Sequence, residues 1–214
     1  MIIQIGEWVL GEACQQMHKW HVIFPSNEPL FMSVNLSVKQ FAQPDLIENI
    51  ARTLQETKLA PNSLKLEITE SAVVENVGTV TEFLKQLRGL GVQLSMDDFG
   101  TGYSSLSHLH RFPINTLKID RSFVTRMAEN NENAEIVRTI IGLAQNLGMD
   151  VVAEGVETQE QLDMLKALNC EYGQGYFFAK PLETQDADKF ICDTYILPSA
   201  FIDEPESQPI ARAS

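Results

Sequence analysis

The sequence is poor in three features that would indicate common classes of protein. It has only three cysteines, Cys14, Cys170 and Cys192, without metal-site spacing, so we expect a reduced, cytoplasmic protein rather than a disulfide-bonded one. Lys and Arg number 16 against 29 Asp and Glu, and the net charge of −13 argues against non-specific nucleic-acid binding. No apolar run approaches membrane-spanning length, and residues 1–8 lack the basic segment of a signal peptide.

The remaining pattern predicts an α/β fold. Apolar residues recur at helical spacing between short apolar runs, which predicts strands at 31–37, 64–69, 94–97, 116–120, 150–155 and 172–178. Such alternation indicates parallel strands wrapped by helices, either in an open doubly wound sheet or in a barrel. We expect one domain over residues 1–197, followed by a disordered acidic tail at 198–214.

The alternation of side chains within the strands favours the barrel. One face of each strand is apolar, and the other carries a polar residue near the strand end. These residues are Asn35, Glu67, Asp97, Lys118, Glu154 and Gln174. A single buried polar residue is usually a satisfied core hydrogen bond, but six in register are not explained in that way. They are expected to converge at the carboxyl rim, where barrel sites are built.

The acidic residues of this rim predict a metal site. Asp97 and Asp98 stand side by side before a loop with two glycines, a composition that is also typical of an ordinary solvated turn. Burying them with Glu67 and Glu154 would be costly without cations, which one lysine cannot replace. Oxygen ligands favour one or two Mg²⁺ or Mn²⁺ ions, and a two-metal site can cleave a phosphodiester by in-line attack.

Six segments match those of a known family. The chain resembles EAL domains, the cyclic di-GMP phosphodiesterases of bacterial signal transduction, from about Ile3 to Leu182. The segments are Val34 to Ser37, Leu66 to Ser71, Asp97 to Leu106, Leu117 to Phe123, Ala153 to Thr158 and Gln174 to Tyr176. The resemblance implies a TIM-like (β/α)₈ barrel that hydrolyses cyclic di-GMP to 5′-pGpG with Mg²⁺ or Mn²⁺.

The resemblance also implies roles for individual residues. The implied metal ligands are Asn35, Glu67, Asp97 and Asp98. Lys118 resembles the residue that orients the attacking water, and Glu154 resembles an acidic residue beside metal and water, a general-base candidate. Glu157 and Gln174 match further site residues, and Glu70 matches a glutamate that braces the loop after Asp98. That loop, residues 99–105, is linked in the family to metal binding and homodimer contacts.

One departure from the family pattern concerns activity. No Glu-Ala-Leu motif is present, although its glutamate is a metal ligand in the family. The segment from Ile3 to Leu10 matches a helix downstream of that motif, so we expect an incomplete barrel that lacks about the first two strands and a helix. An internal start assigned to a longer gene, a real truncation or a complementing partner chain would each explain this, and the first two are favoured. A sensor or cyclase domain upstream is a further expectation.

Three functions follow from these observations. The leading hypothesis is a truncated cyclic di-GMP phosphodiesterase domain, in which the missing glutamate is expected to impair turnover. The second is a non-catalytic module that binds cyclic di-GMP or a partner protein. The third is a metal-dependent hydrolase of another phosphodiester. His108 and His110, which follow the glycine loop, are interpreted as surface or dimer-contact residues rather than metal ligands.

Overall fold

Six parallel strands form one sheet in chain order. The computed structural model describes residues 1–25, 30–74, 77–101, 109–128 and 131–195. The strands are β1 (Met32–Leu36), β2 (Leu64–Thr69), β3 (Gln93–Phe99), β4 (Thr116–Ile119), β5 (Asp150–Glu154) and β6 (Tyr172–Gln174). Each strand pairs in parallel with the next, so β1 and β6 are the edges of the sheet.

Helices precede, connect and follow these strands in the described residues, and helical connections are typical of parallel pairing. They are α1 (Ile2–Ile23), α2 (Val38–Phe41), α3 (Leu46–Thr57), α4 (Glu70–Val74), α5 (Val77–Gly89), α6 (Arg121–Arg126), α7 (Asn131–Asn146), α8 (Gln159–Ala167) and α9 (Thr184–Tyr195). A 3₁₀ turn over Pro61–Ser63 precedes β2. The short helices α2, α4 and α6, each of which directly follows a strand, were not predicted from the sequence. None of the helices described is long and apolar enough to cross a membrane.

The sheet is curled. Phe31, just before β1, packs edge-to-face against Tyr172 of β6 with their ring centroids 6.4 Å apart, although these strands are the two edges of the sheet. The edges therefore approach each other at their amino-terminal ends. Together with the chain-order pairing, this is the geometry of a TIM-like barrel with six of its eight strands, which confirms the predicted incomplete barrel.

The core lies between the sheet and its helices. Leu66, Leu94 and Leu117 are fully buried on one face of three neighbouring strands, as the alternation predicted. The opposite face of β2 is also buried, because Lys65 and Glu67 point into the interior of the curled sheet. The polar residues Lys65 and Glu67 of β2 and Lys118 of β4 are thus enclosed inside the curled sheet.

The last strand is shorter than predicted. The sequence predicts a strand at 172–178, but β6 ends at Gln174. The chain then turns against the loop after β5, where the Phe177 N–H donates to the Val156 carbonyl at 2.9 Å. Gly175 makes this approach possible, because a Cβ there would lie 2.1 Å from the same carbonyl oxygen. The turn brings the residues after β6 beside the end of β5.

Helix α8 begins at a capping box formed by Thr158 and Gln161. The Thr158 hydroxyl accepts from the Gln161 N–H at 3.2 Å, and the Gln161 side chain accepts from the Thr158 N–H at 3.0 Å. The same Gln161 oxygen also accepts from the Glu157 N–H at 2.7 Å. This arrangement anchors the backbone of Glu157, one of the predicted site residues.

Some predictions concern residues outside the described ranges. They include His108, residues 102–105 of the loop after Asp98, and the tail at 198–214. The described His110 is exposed, in keeping with its interpretation as a surface residue. The chain divides into two compact units between Lys180 and Pro181, and helix α9 belongs to the second.

Candidate metal centre

Lys118, on β4, contacts carboxylates near the carboxyl ends of β2, β3 and β5. Its Nζ lies 2.6 Å from Glu67 Oε2, 3.0 Å from Asp97 Oδ1 and 2.6 Å from Glu154 Oε1. Lys118 and Glu67 are only 4% and 5% exposed. Among the described residues, no other cation forms an ion pair with these carboxylates. We call Glu67, Asp97, Asp98 and Glu154 the acidic cluster.

A bulge in β3 brings two consecutive carboxylates to the cluster. Met96 pairs with Leu117 and Phe99 pairs with Ile119, so β3 has one extra residue opposite Lys118. Asp98 has a φ of 56°, in the left-handed region that aspartate adopts more readily than most residues. Adjacent side chains of a regular strand point to opposite faces, and a bulge removes that restriction. Asp97 and Asp98 can therefore both face the same site.

The donor set fits a divalent cation. One carboxylate oxygen from each of Asp97, Asp98 and Glu154 lies within 4.8 Å of the other two. Hard oxygen ligands of this kind are those of Mg²⁺, Mn²⁺ and Ca²⁺ rather than Zn²⁺. The acidic cluster has four carboxylates beside the single ammonium of Lys118, so its net charge is negative, as a cation site requires.

The protonation equilibria of the cluster reflect crowding of like charges. Burial raises the pKa of Glu154, as do Asp97 and Glu67, while its hydrogen bond to Lys118 acts in the opposite direction. Burial and then Asp97 raise the pKa of Asp98. For Lys118, burial favours the neutral amine, but the bonds to Glu154 and Glu67 outweigh it, so the pKa is raised. Lys118 therefore stays charged at neutral pH.

Glu70 holds the loop that follows Asp98. It is 2% exposed, and its Oε2 accepts a hydrogen bond from the Gly100 N–H at 3.0 Å. Gly100 has a φ of +96°, and the Thr101 hydroxyl donates to the Asp98 carbonyl at 2.8 Å. The other oxygen, Oε1, has no hydrogen-bond partner among the residues that the structure describes. The contact to Gly100 is in keeping with the bracing role that the resemblance implies.

Three further predicted site residues lie outside both the acidic cluster and the contact between Glu70 and Gly100. Asn35 is exposed on the edge strand β1, beside Glu67 in the register of the sheet. Glu157 and Gln174 line a cavity of about 220 Å³ next to the cluster, which also includes Glu154. Their roles, like the metal-ligand roles of the cluster, stay predictions.

Sequence reasoning assigned no role to several residues at this rim. Arg121 and Tyr176 line the cavity, and Asp120 lies close enough to Asp98 to raise its pKa. Their sequence positions, directly after β4 and just after β6, are those that face the carboxyl rim of a barrel. Lys65, buried lower on β2, donates to Thr116 Oγ1 at 3.0 Å and lies 4.3 Å above the Phe31 ring. The sequence indicated its inward orientation only through its position two residues before Glu67, on the same face of β2.

Comparisons with known proteins agree with this geometry. A family model described as EAL domain matches residues 1–181. The cyclic di-GMP phosphodiesterase NbdA of Pseudomonas aeruginosa is 41% identical over 191 residues, which are 89% of this chain and 24% of NbdA. The chain spans about a quarter of the length of the curated relatives it matches.

Solved structures show the same similarity. The structure described as PaMucR phosphodiesterase in complex with cyclic di-GMP has a TM-score of 0.83 and 41% identity, with 87% of this chain and 74% of that chain covered. Klebsiella pneumoniae BlrP1, in a complex with manganese and cyclic di-GMP, has a TM-score of 0.76 and 28% identity, with 85% of this chain and 45% of that chain covered.

Proposed function

Because the chain belongs to the EAL domain family, we propose that it carries the active-site face of a phosphodiesterase that hydrolyses cyclic di-GMP to 5′-pGpG. The observation that carries this proposal is the convergence of Glu67, Asp97 and Glu154 on Lys118 at the carboxyl ends of their strands. Relatives named as cyclic di-GMP phosphodiesterases and a neighbour solved with that dinucleotide support the substrate.

The acidic cluster is the proposed site for Mg²⁺ or Mn²⁺. Asp97, Asp98 and Glu154 offer oxygens close enough to share an ion, and Glu67 and Asn35 are the further ligands that the resemblance implies. When bound, the metal ions supply positive charge to the phosphoryl oxygens and make water more acidic. The manganese complex of BlrP1 supports this choice of ion.

The chain's own residues supply orientation and proton transfer. In the hydrolysis, a water oxygen bonds to phosphorus, the bond between phosphorus and the 3′ oxygen breaks, and the phosphate stays on the 5′ side. Glu154 accepts the water proton, because its carboxylate lies at the acidic cluster, 2.6 Å from Lys118 Nζ. Lys118, held charged between Glu154 and Glu67, orients the water and stabilises the developing negative charge. The proton that completes the 3′ hydroxyl comes from solvent.

Three further assignments accompany this function. The chain is proposed to form a homodimer through the loop after Asp98, of which the structure describes residues 99–101. The family resemblance supports this proposal, as does the hydrogen bond from Gly100 to Glu70, which holds the loop in place. It is proposed to work in the cytoplasm, and its three free thiols are in keeping with a reducing compartment. A sensor or cyclase domain in a longer parent protein is part of the same proposal.

The alternative is a module that binds cyclic di-GMP without cleaving it. The observation in its favour is that the sequence contains no Glu-Ala-Leu motif, so one carboxylate ligand of the family pattern is missing. Both functions require the dinucleotide to bind at the same rim. They differ in whether the water attack takes place at a useful rate.

One assay separates the two functions. Purified chain is incubated with cyclic di-GMP and Mn²⁺, 5′-pGpG is measured by chromatography, and binding is measured with Ca²⁺ in place of Mn²⁺. Asp97→Asn is compared with Asp193→Asn, a matched change at an exposed residue of α9. Turnover that Asp97→Asn abolishes and Asp193→Asn preserves supports the enzyme, and binding without turnover supports the module. Absence of both from a folded chain contradicts both.

A further inference from the structure

The cavity beside the acidic cluster has one basic residue in its wall. It is about 220 Å³ in volume and lies among the loops that follow β4, β5 and β6. Arg121, the first residue of α6, forms the β4 side, and Glu157 and Tyr176 contribute from the other two loops. No hydrogen bond or ion pair to Arg121 is found among the described residues. Its five guanidinium donors are thus available to a ligand.

Gly155 fixes the place of Arg121 in this wall. The glycine directly follows Glu154 and has a φ of +71°, and a Cβ there would lie 2.6 Å from the Arg121 Cβ. The absence of a side chain lets the stem of Arg121 cross directly over the end of β5. As a result, the Cβ of Arg121 lies next to the residue that follows Glu154, at the boundary between the acidic cluster and the cavity.

The charges of the cavity favour a neutral ligand over an anionic one. Its wall contains the carboxylates of Glu154 and Glu157 and a single guanidinium. Glu154 already pairs with Lys118, so the remaining carboxylate and guanidinium of the wall balance each other, and a phosphate group would meet no net positive charge. A neutral group with separate acceptor and donor edges can satisfy the arginine and the glutamate at the same time.

Guanine has this arrangement of edges. Its O6 and N7 atoms accept hydrogen bonds from arginine, which is the commonest specific contact to this base. Its N1–H and amino group are donors that a carboxylate such as Glu157 can accept. Tyr176 is 61% exposed and offers an aromatic face on which a base can stack. Adenine presents an amino donor where guanine presents O6, so it fits an arginine less well.

We propose that Arg121 is a specificity-determining residue that donates hydrogen bonds to the O6 and N7 edge of one guanine of the substrate in this cavity. The proposal rests on the proposed function, since the second half of the dinucleotide is what places a guanine here. It predicts that Arg121 contributes to the preference for cyclic di-GMP over cyclic di-AMP.

The test measures the affinity for both dinucleotides by calorimetry, with Ca²⁺ present. Arg121→Met is expected to weaken cyclic di-GMP binding about 10- to 100-fold and to change cyclic di-AMP binding by much less. Arg121→Lys keeps the charge but cannot form bidentate hydrogen bonds, so it should recover little of the preference for cyclic di-GMP over cyclic di-AMP. Arg126→Met, an exposed arginine on the same helix, is the matched control and should bind as the unaltered chain does. Thermal melts verify that each variant is folded.

The outcomes distinguish the proposal from the function on which it rests. A loss that is equal for both dinucleotides, or that Arg121→Lys fully rescues, would mean a charge contact to phosphate and would overturn the guanine assignment. No loss at all would overturn any role for Arg121. If the unaltered chain bound neither dinucleotide, the proposed function would be contradicted, and the role of Arg121 with it.

Discussion

Replacing Lys118 by methionine tests the electrostatic account of the cluster. The substitution keeps a long apolar stem but removes the ammonium that lies within 3.0 Å of three carboxylates. Removing one partner of a buried ion pair typically costs about 3–5 kcal/mol, because the remaining charge is buried without compensation. We expect the free energy of unfolding at pH 7.5 to fall by about that amount in metal-free buffer.

The conditions of the measurement identify the cause. Urea unfolding is followed by circular dichroism in EDTA, in Mn²⁺ and at pH 5.5. Mn²⁺ and acid should each recover part of the lost stability, because both reduce the negative charge of the cluster. Lys85→Met, which removes an exposed pair with Glu82, is the control and should change stability by less than about 1 kcal/mol. A Lys118→Met protein as stable as this control in EDTA would refute the reasoning.

Two further substitutions test the loop brace and the core. Glu70→Ala leaves the Gly100 N–H without its acceptor, and it should lower the free energy of unfolding in urea by about 1–3 kcal/mol and weaken Mn²⁺ binding. Glu70→Gln keeps an acceptor oxygen and should have smaller effects on both. Equal effects of the two variants would contradict the bracing role of Glu70. Burial raises the pKa of the Cys14 thiol to about 11, above the value of about 8.5 of an unfolded thiol. The buried, neutral thiol therefore contributes about 3 kcal/mol to the free energy of unfolding below pH 8.5. This contribution is lost as the pH rises to 11, because the unfolded chain ionises first. Cys14→Ala should therefore unfold with a shallower alkaline pH dependence, and an unchanged slope would argue against a buried, neutral thiol.

Much of the fold could be predicted because each strand carries its own pattern. The strand Leu64–Thr69 was predicted at its observed bounds. The six strands and the inward-facing polar residues followed from two-residue periodicity, which depends only on local backbone geometry. These features needed no knowledge of distant contacts.

The remaining features depend on contacts between distant segments. Strict alternation places Asp97 and Asp98 on opposite faces of β3, and only the bulge opposite Lys118 removes this restriction. The early end of β6 depends on the approach of Gly175 to Val156, which brings two loops together. That one lysine contacts three carboxylates likewise follows from the curl of the sheet and not from any local pattern.

The most direct test of the account is a crystal structure of the chain with Mn²⁺ and cyclic di-GMP, with the metal located by anomalous scattering. We expect Mn²⁺ bound by oxygens of Asp97 and Asp98 beside Glu154, with a phosphate of the dinucleotide at the metal. Mn²⁺ bound elsewhere while Lys118 still paired with all three of its carboxylates would contradict it. So would a dinucleotide bound away from the carboxyl rim.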